Sequence, residues 1–247
     1  MERLLINVQH DALAFIVLIA LILSVITSLI FIYQTTPELL PKSKATCLLS
    51  LLALLGFPAA WDLIKTNGVT RFFALFVFII LILALIIPVL NYIQKFPSKF
   101  VSNWHIWSTP AMVIGGLVVA CYLTYVEVTS VSAVCGVSIP GCVTVQTSSY
   151  AKLFGFLPVG ALGVIGYLVI MAIWFIENNV NTPYKNLCGL GQWGICFFGV
   201  LFSIYLTYLE VFVIRATCTW CILSAVLMVL LLWASTSKAQ TYFIESQ

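Results

Sequence analysis

Seven runs of roughly twenty apolar residues fix the environment of this chain before any motif is read. They lie near 12–33, 46–62, 72–93, 108–130, 157–176, 192–213 and 219–236. Coiled as a helix, a run of that length spans the hydrocarbon of a bilayer. The runs are continuous rather than alternating, which fits helices and not a barrel. The second is the shortest, and Gly56 and Pro58 interrupt it. Charged residues make up 8% of the chain and hydrophobic ones 62%. A soluble domain carries about a quarter charged residues, so lipid, not water, must solvate this surface. The first run has no basic flank and no small-residue cleavage site, so it reads as a retained helix. Pro88, Pro110 and Pro158 read as kinks or helix starts. The expected fold class is an all-α integral membrane protein.

The net charge of +3 is spread over every loop. No basic patch points to nucleic acid. The polar segments are too short for a soluble domain, and about a dozen polar residues follow Trp233. With seven spans and the N-terminus outside, inner segments hold Lys42, Lys44, Lys95, Lys99, Lys185 and Lys238. Outer ones hold Arg3, Lys65, Arg71, Lys152 and Arg215. Six against five barely discriminates under the positive-inside rule. Cysteine chemistry decides instead, because disulfides persist on the oxidising face. That places segments 131–156 and 214–218 outside the cytosol.

An internal repeat organises the rest. Residues 122–128 read YLTYVEV and residues 205–211 read YLTYLEV, an offset of 83 residues. The same offset superimposes Gly116 on Gly199, Ala133 on Ala216 and Cys135 on Cys218. The segment from about 108 to 236 therefore reads as two helical hairpins in parallel orientation. Each has a helix that ends outside, a cysteine pair and a return helix. Cys135 and Cys142 sit in a Gly/Ser/Pro-rich loop, whereas Cys218 and Cys221 open the last helix as Cys-Thr-Trp-Cys. All four are expected at one end of one bundle. A thiol at a helix N-terminus is expected to have a lowered pKa.

Three readings compete for these four cysteines. They form structural disulfides, a four-thiolate zinc site, or a redox relay. Zinc is disfavoured because only one pair has knuckle spacing. Cys47, Cys121 and Cys196 read as small packing residues, and Cys188 as a reduced thiol in an inner loop. His10 and His105 are isolated, and no metal site is expected. Glu127 and Glu210 share a repeat position. They read as headgroup-level carboxyls reached by solvent, with proton handling as the alternative. The repeated Tyr122, Tyr125, Tyr205 and Tyr208 read as packing or belt residues.

At this point the residues resemble the vitamin K epoxide reductase family in its bacterial-type branch, over about 105–236. The resemblance rests on Cys135 and Cys142, on Ser148 six residues later, on SSYAKLFGFLPVGALGVIGY, and on CTWC coming last. It implies a four-helix catalytic bundle over 105–236, preceded by about three extra helices in 1–104 and followed by a short polar tail, 237–247. The resemblance also implies roles. Cys221 faces a quinone, Cys218 exchanges with the loop, Cys142 meets Cys218, and Cys135 meets a soluble partner. Ser148 lies near the quinone site, although as a bare residue it reads as a loop hydrogen bonder or helix cap. Where vertebrate members carry a Tyr and an Asn, this chain has Ala225 and Ala151. Both departures remove polar groups suited to an epoxide, which favours a respiratory quinone of ubiquinone or menaquinone type as acceptor. Many relatives carry a fused thioredoxin-like domain. Its absence before Gln247 implies a separate thioredoxin-like partner on the oxidising side of a plasma (inner) membrane.

Candidate quinone walls are Phe154, Phe156, Leu157, Trp220 and Leu223, each with bundle packing as the plainer reading. Trp220 has a third reading as an interfacial anchor. The expected activity is disulfide formation coupled to quinone reduction. The competing expectation is a disulfide-braced membrane carrier without redox turnover. Residues 1–104 carry no interpretable polar motif.

Overall fold

The structure, a computed structural model, describes residues 12–33, 42–66, 69–92, 98–135, 141–179 and 184–245. His10 lies outside the described residues, as do the side chains of Cys47 and His105. The described chain is helical almost throughout. Helix α1 spans Ala12–Tyr33, α2 Lys42–Ile64, α3 Val69–Tyr92 and α4 Ser98–Thr129. A short helix α5, Cys142–Gln146, and a 3-10 turn, Ser149–Ala151, lead into a small hairpin. Its strands β1, Lys152–Leu153, and β2, Leu157–Pro158, pair antiparallel with Leu153 opposite Leu157. Helix α6 spans Val159–Asn179, α7 Tyr184–Tyr208, and α8 Thr219–Glu245. Helix α7 continues as a π-helical segment, Leu209–Ile214.

Five described helical stretches are long and apolar enough to cross a membrane: Ala12–Ile32, Ser108–Thr129, Val159–Asn179, Leu187–Ile214 and Thr219–Thr236. The protein is an all-α membrane protein. Within α2 and α3 the described apolar stretches, Ala53–Ile64 and Thr70–Leu83, are shorter. Pro58 and Pro110 lie inside helices, α2 and α4. Pro158 ends β2 and directly precedes α6.

Helices α4, α6, α7 and α8 close a ring, each packed on the next and α8 back on α4. Helices α4 and α6 form the first repeat hairpin, and α7 and α8 the second. The preceding helices cover the outer side of α8. Helices α1 and α2 both pack on it, α1 also packs on α7, and α3 joins α2 to α4. So α8 is wrapped on all sides, with 83% of its spanning window buried, against 17% for α6. Its apolar residues point all round for that reason. Leu223, Leu227, Leu230, Leu231 and Leu232 are fully buried. The N-terminal helices thus pack against the outer side of the ring.

Two boundaries differ from the sequence reading. Helix α4 begins at Ser98, so the division at 104/105 falls inside a helix. The segment read as a polar tail from 237 continues α8 to Glu245.

Candidate functional site

The N-terminus of α8 is built by capping. The Cys218 carbonyl accepts the first helical bond, from Ile222 N–H at 3.0 Å. Cys218 is therefore the N-cap, a position that usually carries a side-chain oxygen to satisfy an orphan amide. Here sulfur does that work: Cys221 N–H donates to Cys218 Sγ at 3.3 Å. The Cys218 N–H donates in turn to the Glu210 carboxylate, Oε2, at 3.0 Å. A negative group there also suits the positive end of the helix.

Glu127 does the same for the first hairpin, accepting from Gly160 N–H, in the first turn of α6, at 2.9 Å. Gly160 permits it, because a Cβ there would lie 2.6 Å from the Thr124 backbone nitrogen. The repeated carboxylates are thus matching caps on the return helices. They are buried, at 7% and 3% exposure, rather than solvent-reached as the sequence suggested. Capping needs a carboxylate aimed inward at a helix end, and periodicity does not reveal that aim.

The loop carrying Cys135 and Cys142 is clamped against α8 at two points. Tyr122 and Trp220 pack ring to ring, centroids 4.7 Å apart. The Tyr122 hydroxyl accepts from Val134 N–H at 2.8 Å, and Trp220 Nε1–H donates to the Val134 carbonyl at 2.9 Å. Both bonds fix the residue before Cys135. The second clamp is Gly141. A Cβ there would stand 2.6 Å from the Thr217 carbonyl oxygen and 2.7 Å from its nitrogen. Only glycine lets α5 start flush against the segment that leads to Cys218.

These clamps bring the four sulfurs into a row. Cys135 and Cys142 lie in hydrogen-bonding contact. So do Cys142 and Cys218, and Cys218 and Cys221. The Gln146 amide nitrogen donates to Cys218 Sγ and to Cys221 Sγ, each at 3.8 Å. Both cysteine pairs thus meet at one end of the ring, in the order 135, 142, 218, 221. Among the other described cysteines, Cys196 is buried, Cys188 is partly buried, and Cys121 is exposed on the outer face.

The helix dipole does not dominate the thiols outside the membrane span. Burial raises the Cys218 thiol well above its ordinary range. Contact with the Cys142 thiol, aided by burial, raises Cys135. The hydrogen bond with Cys135 pulls Cys142 down, but contact with Cys218 and burial outweigh it and leave that thiol at about 12. The lowered pKa expected from the helix end is therefore overturned. Desolvation disfavours a thiolate more than a partial charge at a helix end favours it. These thiols rest protonated at neutral pH and need a proton acceptor to react.

Beside Cys221 opens a cavity of about 460 Å³ enclosed by the four ring helices and the α5 segment. Cys221, Gln146, Ser148, Tyr150 and both cap carboxylates, Glu127 and Glu210, reach its wall. The rest is mainly aliphatic. Exposed Ile165 and Phe198 also line it, so it meets the outer surface between α6 and α7. Ala151 and Ala225 line it as well. The Gln146 carbonyl oxygen is buried without a hydrogen-bond partner.

Of the six residues read as quinone contacts, Ser148 is on this wall. Its hydroxyl also donates to the Val145 carbonyl at 2.7 Å, which agrees with the hydrogen-bonding role read from the bare residue. Phe154 and Phe156 flank the hairpin turn, stacked on each other and 82% and 75% exposed. Positive φ at Phe154 and Gly155 turns the chain outward there. Leu157 lies on β2, off the cavity wall. Leu223 is fully buried on α8, likewise off the wall. Trp220 is fully buried in the loop clamp, so it is not an interfacial anchor. Trp220→Phe should keep the ring contact but orphan the Val134 carbonyl. The expected cost is about 1 kcal/mol, read as a lowered melting temperature, with faster labelling of Cys135 by a water-soluble maleimide.

Four neighbouring sulfurs thus lie beside a largely apolar cavity in a membrane helix bundle. The family model described as Vitamin K epoxide reductase family matches residues 107–236, and the chain belongs to that family. Oxidoreductase chemistry follows from that membership. No solved structure matches the chain.

Proposed function

We propose that this protein is a thiol:quinone oxidoreductase that makes disulfides for a soluble thioredoxin-like partner. The observation that carries the reading is the unbroken row of sulfurs, ending at a cavity that opens on the membrane side. Cys135, at the outer end and partly exposed, takes the partner's attack. A mixed disulfide forms at Cys135 as the Cys135–Cys142 bond breaks. The partner's second thiol then releases it, oxidised. The reduced Cys142 next attacks Cys218, and exchange moves the dithiol to Cys218 and Cys221. The cysteine end is read as the extracytoplasmic one, where a disulfide product persists.

The residues present fit a quinone as the acceptor. The cavity volume lies within the usual range for small-ligand sites, and few polar groups line it. The unpartnered Gln146 oxygen offers an acceptor for a hydroxyl, which a quinol has. Ser148, Tyr150 and Gln146 would hold the oxygens. When bound, a quinone supplies a sink for two electrons and two protons. Alanine at 151 and 225 leaves those two wall positions apolar, which favours a respiratory quinone over an epoxide.

The test is stoichiometry in proteoliposomes containing ubiquinone or menaquinone. A reduced thioredoxin-like dithiol is supplied outside. One disulfide formed per quinone reduced is expected. Partner oxidation with no quinol, or no turnover with either quinone, would refute the reading.

A further inference from the structure

We infer that Glu210 is the proton acceptor for Cys221. The inference rests on the thiol–quinone reading above and goes beyond it in assigning the proton path. Three observations meet at this side chain. Its carboxyl lies within hydrogen-bonding reach of the Cys221 thiol while holding the Cys218 N–H. It is buried at 3% exposure, so it does not exchange protons freely with water. It also lines the cavity that Cys221 lines, so a proton received from sulfur sits where the acceptor binds.

The repeat separates this role from capping. Glu127 likewise accepts from a backbone N–H at the start of a return helix, but that residue is a glycine, within the first turn of α6. Glu210 caps a helix whose first turn is the reactive dithiol. The backbone around it also departs from the first copy. Around Glu127 the chain is ordinary α-helix, whereas Glu210 lies in a π-helical segment. That segment ends with Arg215 in the left-handed region, φ 57°, and Ala216 N–H donates to the Glu210 carbonyl at 3.1 Å. Such widened turns concentrate at functional sites. Here the turn fixes the Glu210 backbone from below while its carboxyl spans Cys218 and Cys221.

The step balances. Two S–H bonds break, one S–S bond forms between Cys218 and Cys221, and two electrons and two protons pass to the quinone, giving the quinol. The Glu210 carboxylate receives the Cys221 proton as the thiolate forms, and gives it up on the cavity side. It ends the cycle as a carboxylate. The second proton leaves Cys218 as its sulfur closes the disulfide.

Glu210→Gln tests this, because its amide oxygen still accepts from Cys218 N–H but holds no acidic proton. Melting should fall only slightly, through the lost charge at the helix end, and single-turnover quinone reduction by the pre-reduced protein should slow about a hundredfold or more. Glu210→Asp, which restores a carboxyl, should recover part of the rate. A second readout needs no quinone. Reducing the Cys218–Cys221 disulfide should shift a carboxyl stretching band in the infrared difference spectrum, and E210Q should lack that band. Wild-type rates in E210Q, or no carboxyl band that responds to reduction, would overturn the inference and leave Glu210 a helix cap. If wild-type protein fails to reduce quinone, the thiol–quinone reading falls, and the infrared band alone decides the Glu210–Cys221 pairing.

Discussion

Cys142→Ala is expected to stop turnover while leaving the soluble partner covalently captured on Cys135. Cys142 is the inner thiol of the loop and touches both Cys135 and Cys218. It is the one described sulfur that joins the loop pair to the helix pair. Without it there is no loop disulfide for the partner to attack. Supplying a single-cysteine form of the partner, its resolving cysteine replaced by Ser and the other pre-activated by an aromatic disulfide, restores the first bond. The mixed disulfide then persists, because neither Cys142 nor a second partner thiol is there to resolve it. Non-reducing gels should show the adduct, and quinone reduction should fall to the detection limit. Direct reduction of Cys218–Cys221 by a small membrane-permeant dithiol should still deliver electrons to the quinone. Turnover with the protein dithiol retained in C142A would break the proposed order of sulfurs.

Gly141→Val should give the next largest effect, by moving the loop without touching a thiol. Its Cβ would fall 2.6 Å from the Thr217 carbonyl oxygen, and that obstacle is backbone, not the end of a flexible side chain. The loop must back away from the segment before Cys218, and Cys142 must move with it. A displacement of about an ångström can cost roughly a hundredfold where two groups must meet in line. The expected result is a loss of that order in loop-to-helix exchange, measured by rapid thiol trapping. Quinone reduction by the pre-reduced helix pair should persist. Gly141→Ala should fall between the two. Equal loss of both steps would mean that the substitution unfolds the bundle rather than parting the pairs.

Much of this was legible in the sequence, because the signals were covalent or periodic. Continuous apolar runs located the helices, and the YLTY repeat set Cys135 in register with Cys218. The meeting of both pairs at one bundle end follows from that register alone. The cavity was harder to read, because adjacency in sequence is a poor guide to a wall built from four helices. Phe154 and Phe156 stand close to Ser148 in the chain, yet a positive φ sends their rings outward. The wall is drawn instead from unremarkable aliphatic and glycine positions on α6 and α7. Trp220 was equally misleading. A tryptophan between two cysteines at a helix start resembles an interface anchor, and nothing local reveals that its indole N–H serves the Val134 carbonyl. Gln146 carried no motif at all, yet its amide touches both sulfurs of the helix pair. The carboxylates were half legible: the repeat paired Glu127 with Glu210, but not their burial.

The enclosure of α8 has a consequence for biosynthesis. Chains emerge N-terminus first, at roughly 5–20 residues per second. Each helix that surrounds α8 precedes it in the chain. The segment bearing the Cys-Thr-Trp-Cys turn is therefore made after every described helix that packs around it. Until it docks, Cys135 and Cys142 lack the neighbouring Cys218 and Cys221, so the proposed relay cannot run in a partly made chain.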